Sequence, residues 1–137
     1  MSSDTMRTIR SATPLGRGRL RLEWSDGTAV EIAVPKVDEA DSVAVGDWGH
    51  SLVWADGSEI GADRLWLDTL DALGRGDARS FLEWRLANGL SLAKAAEALG
   101  LARRTVAYYS NGDRPVPKTV LLACKGWDAT HPERKAA

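Results

Sequence analysis

The sequence predicts an α+β chain: a small antiparallel β-sheet domain with a covering helix, followed by an all-α bundle of about four helices. Three observations carry that expectation. Apolar residues alternate with charged ones over residues 19–24 and 28–34, and from residue 62 onward the apolar period lengthens to that of a helix. Asp-Gly, Asn-Gly and Pro-rich breaks punctuate the chain at short intervals. The formal net charge of -1 is also divided unevenly: residues 1–72 carry 7 Lys or Arg against 13 Asp or Glu, net -6, whereas residues 73–137 carry 11 against 6, net +5. Only the basic part would be drawn to a polyanion, so the two parts are expected to meet different partners.

A chain of 137 residues with 44% hydrophobic and 27% charged residues suits one medium domain or two small ones. The division predicted is a β-rich domain over 1–72, a linker over 73–77 containing Gly74 and Gly76, and a helical domain over 78–137. Cys124 is the sole cysteine, which excludes an intrachain disulfide and a thiolate cluster, and His50 and His131 have no ligand-spaced partner. No metal and no cofactor are expected. No apolar run approaches the roughly 20 residues of a membrane helix, and residues 1–10 are polar, so the expected location is the cytoplasm, with no membrane partner.

Taken in order, the first residues read as a frayed tail. Residues 19–24 and 28–34 form a hairpin around Ser25, Asp26 and Gly27. With Trp24 opposite Thr28, Leu22 faces Val30 and Leu20 faces Ile32 on a buried side, and Arg21 faces Glu31 on a wet side. Pro35 ends the second strand, residues 38–41 form an acidic loop, and further strands are expected at 43–45 and 51–54. The pattern Trp-x-Asp-Gly followed by Glu-Ile occurs at Trp24 and again at Trp54, which reads as one strand-turn-strand device used twice, by convergence or by duplication. Residues 62–73 then carry Leu65, Trp66, Leu70 and Leu73 at helical spacing, with Asp63 near the positive end of the dipole.

Breaks at Asn88-Gly89, Gly100, Asn111-Gly112 and residues 115–117 divide the rest into four helices. Phe81, Leu82 and Leu86 form the stripe of the first, which Gly89 terminates. Ser91 caps the second, Pro117 opens the fourth, and Val120, Leu121, Cys124 and Trp127 close the bundle. The most informative stretch is LSLAKAAEALGLARRTVAYYSNG, residues 90–112. Two short helices crossing through a tight turn need a small residue where their backbones approach, here Ala96. They need a corner residue able to leave the helix, here Gly100, and buried apolar groups to fix the angle: Leu99, Leu101 and Val106.

With Tyr109, Asn111, Gly112 and the Arg-x-x-Pro of Arg114 to Pro117, residues 81–127 resemble the lambda-repressor-like helix-turn-helix family. The resemblance implies sequence-specific binding of double-stranded DNA by a bacterial transcription regulator, with repression the expected outcome. It places a recognition helix over residues 102–110 in the major groove. Base contacts would then come from Arg103, Arg104, Ala107 and Tyr108, the arginines having the fork that suits guanine O6 and N7. Phosphate contacts would come from Ser91, Lys94, Asn111, Arg114 and Lys118. Ala102 stands where members often carry a capping serine, at an expected cost of about 1 kcal/mol. Few phosphate contacts per head imply a homodimer. Residues 19–70 more loosely resemble small β-rich bacterial domains of unknown function found joined to such helix-turn-helix units, some of them suspected in toxin-antitoxin operons. Dimerisation, regulation or a protein partner is the role this suggests for the first domain.

Each reading has a plainer rival. Arg103 and Arg104 could be a solvated pair; Tyr109 is assigned to packing, and Tyr108 is left open between packing and DNA. Trp24, Trp54, Trp66 and Trp84 are expected in the core, and Trp48 in a turn, partly buried against the sheet. Asp26, Asp47, Asp56 and Glu59 read as turn chemistry and not as a catalytic or metal site. Gly16-Arg17-Gly18-Arg19 is too short for a nucleotide loop, the Arg-Gly-Asp triplet at residues 75–77 reads as linker, and Cys124 as a small core residue. No nucleophile and base are paired, so an enzyme is not expected. The rival functions are a protein-interaction module, such as an antitoxin or adaptor, and a ligand-sensing regulator.

Overall fold

A computed structural model describes residues 7–34 and 43–132, which fall into two compact units, one ending at Gly74 and the other beginning at Arg75. Pro35 and the acidic loop over 38–41 lie outside the described residues. Among the described residues the architecture is α+β, with two three-stranded antiparallel sheets and five α-helices. No described helix is long and apolar enough to cross a membrane.

In the first unit, β1 (Ile9–Gly16), β2 (Arg19–Trp24) and β3 (Ala29–Ala33) form one sheet. The register of β2 on β3 is the one the alternation requires: Leu20 opposite Ile32, Leu22 opposite Val30 and Arg21 opposite Glu31. Leu20, Leu22, Trp24, Val30 and Ile32 are all buried, while Arg19, Arg21 and Glu31 are exposed. The chain's beginning corrects the expectation of a frayed tail. Residues 9–16 pair with β2 from Ile9 opposite Trp24 to Gly16 opposite Arg19, with irregularities at both ends of the ladder. This is an edge strand whose side chains are mostly exposed or half-buried, Pro14 among them, so the strand is held by its backbone and carries no apolar alternation to announce it. Gly16-Arg17-Gly18-Arg19 is accordingly the bend between β1 and β2.

A second sheet joins β4 (Ala44–Gly46), β5 (Ser51–Val53) and β6 (Glu59–Gly61). The repeated Trp-x-Asp-Gly sequence makes the same turn twice. At the first, the Trp24 amide donates to Thr28 O (2.8 Å), Gly27 N to Trp24 O (2.9 Å), and Thr28 N to Asp26 Oδ1 (3.0 Å). At the second, Trp54 N donates to Ser58 O (2.9 Å), Gly57 N to Trp54 O (2.9 Å), and Ser58 N to Asp56 Oδ1 (2.9 Å). In each the aspartate carboxylate accepts from the residue two places on, the usual local bond of an Asx turn.

Helix α1 (Ala62–Ala72) buries Leu65, Trp66, Leu67, Thr69 and Leu70. Trp24 Nε1 donates to Thr69 Oγ1 (3.0 Å), Thr69 donates on to Leu65 O (2.8 Å), and Trp24 meets Trp66 edge to face at 5.0 Å. A buried indole is thus satisfied at its one polar atom. Trp48 departs from expectation: it is 94% exposed. Asp47 (φ 46) and Trp48 (φ 57) both sit in the left-handed region, which swings the indole outward from the turn between β4 and β5. Gly49 then packs so closely under Ile9 that an added Cβ would lie 2.8 Å from its carbonyl oxygen, leaving no room to turn the loop inward.

The second unit contains α2 (Gly76–Ala87), α3 (Leu92–Leu99), α4 (Arg103–Asn111) and α5 (Lys118–Thr130). Its core is built from Phe81, Trp84, Leu92, Ala95, Val106, Val116 and Cys124, with Tyr109, Val120, Leu121 and Trp127 packed at its margin. Gly100 ends α3 at φ +71, and Leu101 N bonds back to Ala96 O (2.9 Å), the left-handed corner at which a side chain would be strained. Polar atoms are buried here too. Arg85, 5% exposed, donates from Nη1 to Ser110 Oγ (3.0 Å), tying α2 to the last turn of α4. Trp84 Nε1 and Asn88 Nδ2 both donate to Asp128 Oδ1 (3.1 Å each), tying α2 to α5.

Candidate nucleic-acid interface

The stretch singled out in the sequence becomes α3, a turn over residues 100–102, and α4. Ser91 caps α3 as expected, its Oγ accepting from Lys94 N (3.1 Å). Ala102 occupies the corresponding position before α4 in extended conformation and supplies no side-chain cap. Val106 and Ser110, one turn apart, turn inward, and Tyr109 packs edge to face on Phe81 at 5.4 Å. By helical spacing Arg104 and Tyr108 lie on the side of α4 away from these, with Arg103 and Ala107 at its edge. Arg103 and Arg104 are exposed, and Ala107 and Tyr108 are half-buried.

Tyr108 has a definite neighbour. The Arg114 guanidinium lies over its ring, 4.2 Å from the centroid, so one expected base contact and one expected phosphate contact are joined in a cation–π pair. Asn111 is the last residue of α4, followed by Gly112 at φ +77 and by the bond from Asp113 N to Tyr108 O (2.9 Å). Lys94 is exposed on α3. Lys118 begins α5 and lines an open groove between α2 and α5 together with Lys125 and Glu83.

Two residues that sequence reasoning assigned to a linker belong to this unit. Arg75 donates from Nη1 to Gly112 O (2.5 Å) and from Nη2 to Arg114 O (3.2 Å), and its Nε faces Asp77 Oδ1 at 3.2 Å. Asp77 Oδ2 in turn accepts from Val116 N (2.7 Å). Burial alone would push the Asp77 carboxyl up, but the hydrogen bonds from Arg75, the Val116 amide and the Ala78 amide, with the Arg75 charge, outweigh it and hold it below its ordinary 3.8. The only local signal was an acid in the first turn of a helix. Cys124 is buried, and that burial, with the neighbouring Asp128 carboxylate, pushes its thiol up to about 12.

The exposed groups of this face are guanidinium and ammonium donors on a helix start, a capped helix turn and the loop behind them. Such an arrangement suits phosphate oxygens and the acceptor edges of bases. No protein-family model matches the chain, and no curated protein does. Among solved structures, it is similar to the crystal structure of a "Putative DNA Binding Protein" from Nitrosomonas europaea, with 32% identity over 98% of this chain and 95% of the other, and a TM-score of 0.63. Identity at that level over both units is kinship of the whole chain, and the protein belongs to the same family as that Nitrosomonas europaea protein.

Proposed function

We propose that the second unit reads double-stranded DNA as a lambda-repressor-like helix-turn-helix, with α3 and α4 as its two helices and the chain acting as a transcription regulator in the cytoplasm. The observation that carries this reading is the outward surface of α4, where Arg103 and Arg104 are exposed at the helix start while Val106 and Ser110 are buried. The description given to the Nitrosomonas europaea relative supports it. In this reading Arg103, Arg104, Ala107 and Tyr108 face base edges, and Ser91, Lys94, Asn111, Arg114 and Lys118 meet phosphates. The activity is binding without chemistry. Repression follows from promoter occupancy, and a homodimer sets two recognition helices about one helical turn of DNA apart.

The test is fluorescence-anisotropy binding to a random duplex pool and to DNA from upstream of the gene, across a salt series, with the double variant Arg103→Ala, Arg104→Ala alongside. Tight, sequence-selective binding that the variant loses supports the reading. Equal binding to both DNAs reduces it to non-specific attraction, and no binding at low salt by folded protein removes it. The fully exposed Trp48 favours a second role, for the first unit, in contacting a protein partner.

A further inference from the structure

We propose that Arg75 and Asp77 position the loop after α4, so that Arg114 is held ready over Tyr108 as a phosphate-contacting group. This rests on the DNA-binding reading above and adds to it two residues that face no DNA. The loop runs from Gly112 to Val116, and three of its backbone groups are tied to the start of α2: the Gly112 and Arg114 carbonyls by the Arg75 guanidinium, and the Val116 amide by the Asp77 carboxylate. An ion pair serving stability alone would be complete in the 3.2 Å contact between Arg75 Nε and Asp77. Here the guanidinium is spread over a carboxylate and two carbonyls from one loop, and its planar fork of donors is what makes that geometry available.

Besides these ties, Asp113 N donates to Tyr108 O at the start of the loop. Pro115 and Pro117 have no amide to donate, and beyond Gly112 the side chain of Val116 is its buried anchor. Arg114 lies midway between the tied positions. With its carbonyl fixed, its side chain reaches back over Tyr108, and a guanidinium stacked by its face keeps its N–H edge available to an anion. A side chain already held in place gives up less conformational freedom on binding than a mobile one. Without Arg75, the loop carbonyls lose their donors and Arg114 loses its fixed origin.

The experiment uses the full chain and a labelled random-sequence duplex, with affinity measured across a salt series for the wild type, Arg75→Lys, Arg114→Ala and the double variant. Arg75→Lys keeps the charge but cannot bridge both carbonyls, so a change in slope is not a change in net charge. Alongside, NMR follows the Arg114 side-chain protons, which the Tyr108 ring shifts upfield. The expected result is that Arg75→Lys and Arg114→Ala each reduce the slope of log affinity against log salt by about 0.9, one phosphate. The double variant should reduce it no further, and the upfield shift should vanish in Arg75→Lys. A wild-type slope in Arg75→Lys beside a reduced one in Arg114→Ala overturns the proposal while leaving DNA binding intact, as does additivity in the double variant. Wild-type protein that binds no DNA overturns both. If Arg75→Lys fails to fold by circular dichroism, Asp77→Ala takes its place, removing the acceptor of the Val116 amide, and the upfield shift of the Arg114 protons, which net charge does not set, decides: its loss supports the proposal and its persistence overturns it.

Discussion

The two units place their polar atoms differently. In the first, aspartates are used at the surface, where Asp26 and Asp56 each close a turn with the residue two places on, and the polar atoms inside include Ser51 Oγ, the Trp54 indole nitrogen and the bond from the Trp24 indole to Thr69. In the second, an arginine and an asparagine lie inside, and the ties they make join residues 25 to 40 positions apart. The first unit therefore depends on which residues alternate. The second depends on polar pairs that set where α4 and its following loop stand, which is what a surface of directed donors requires.

Core truncation is the strongest way to test that division. Trp24→Ala and Phe81→Ala each remove a fully buried ring, and each is expected to cost about 3–5 kcal/mol in its own unit. Residue-resolved hydrogen exchange checks this: Trp24→Ala should lower protection over the strands and α1, and Phe81→Ala over α2 to α5. Equal loss in both units from either change would mean that they are one cooperative structure.

The buried polar ties come next. Ser110→Ala leaves Arg85 Nη1 without its hydroxyl acceptor and is expected to cost about 1–3 kcal/mol, whereas Ser58→Ala at an exposed turn should cost about 1 kcal/mol or less. Urea midpoints of the two variants measure the contrast, and a larger loss at Ser58 would reverse it.

A smaller effect separates the units by acidity. Asp26, like Asp77, is held below its ordinary value: burial would raise it, but bonds from the Thr28 amide and hydroxyl and from Arg7, with the Arg7 charge, outweigh that. A folded-state value below the unfolded one gives stability that is present above about pH 4 and is lost as pH falls through the lowered value. Asp26→Asn should therefore flatten the acid limb of the first unit's melting temperature, and Asp77→Asn that of the second. An unchanged acid limb in both variants would remove these carboxylates as its cause.

The smallest change should be a gain. Ala102→Ser offers α4 the missing cap and is expected to add about 0.5–1 kcal/mol, seen as a higher melting temperature of the second unit. No gain would mean that the turn over residues 100–102 does not admit the capping rotamer.

What could be read from the sequence follows the same line between local and distant. The pairing of Leu20 with Ile32 and Leu22 with Val30, the twice-used turn, the extent of α1, the Ser91 cap and the Gly100 corner all depend on residues within about a dozen positions of one another, and all are as expected. Pro117 stands immediately before α5, one place ahead of the first turn. Edge strand β1 went unread because it is held by backbone bonds and buries few side chains. The outward swing of Trp48 depends on left-handed backbone at Asp47 and at Trp48 itself, a bulky residue that seldom adopts it. For the candidate interface, residues 103, 104, 107 and 108 were legible as candidates only through the resemblance of residues 81–127 to lambda-repressor-like helix-turn-helix units. The stacking of Arg114 on Tyr108 was not, nor were the roles of Arg75 and Asp77, whose partners lie 37 to 39 residues away.

Cys124 gives the second unit a natural clock. With its thiol pushed up to about 12, it stays protonated at neutral pH, and reagents that attack the thiolate meet neither an ionised sulfur nor an accessible one. Labelling must wait for α5 to lift. Because the chain has no other cysteine, the rate at which a thiol reagent is consumed counts those openings at one known position, without any engineered probe.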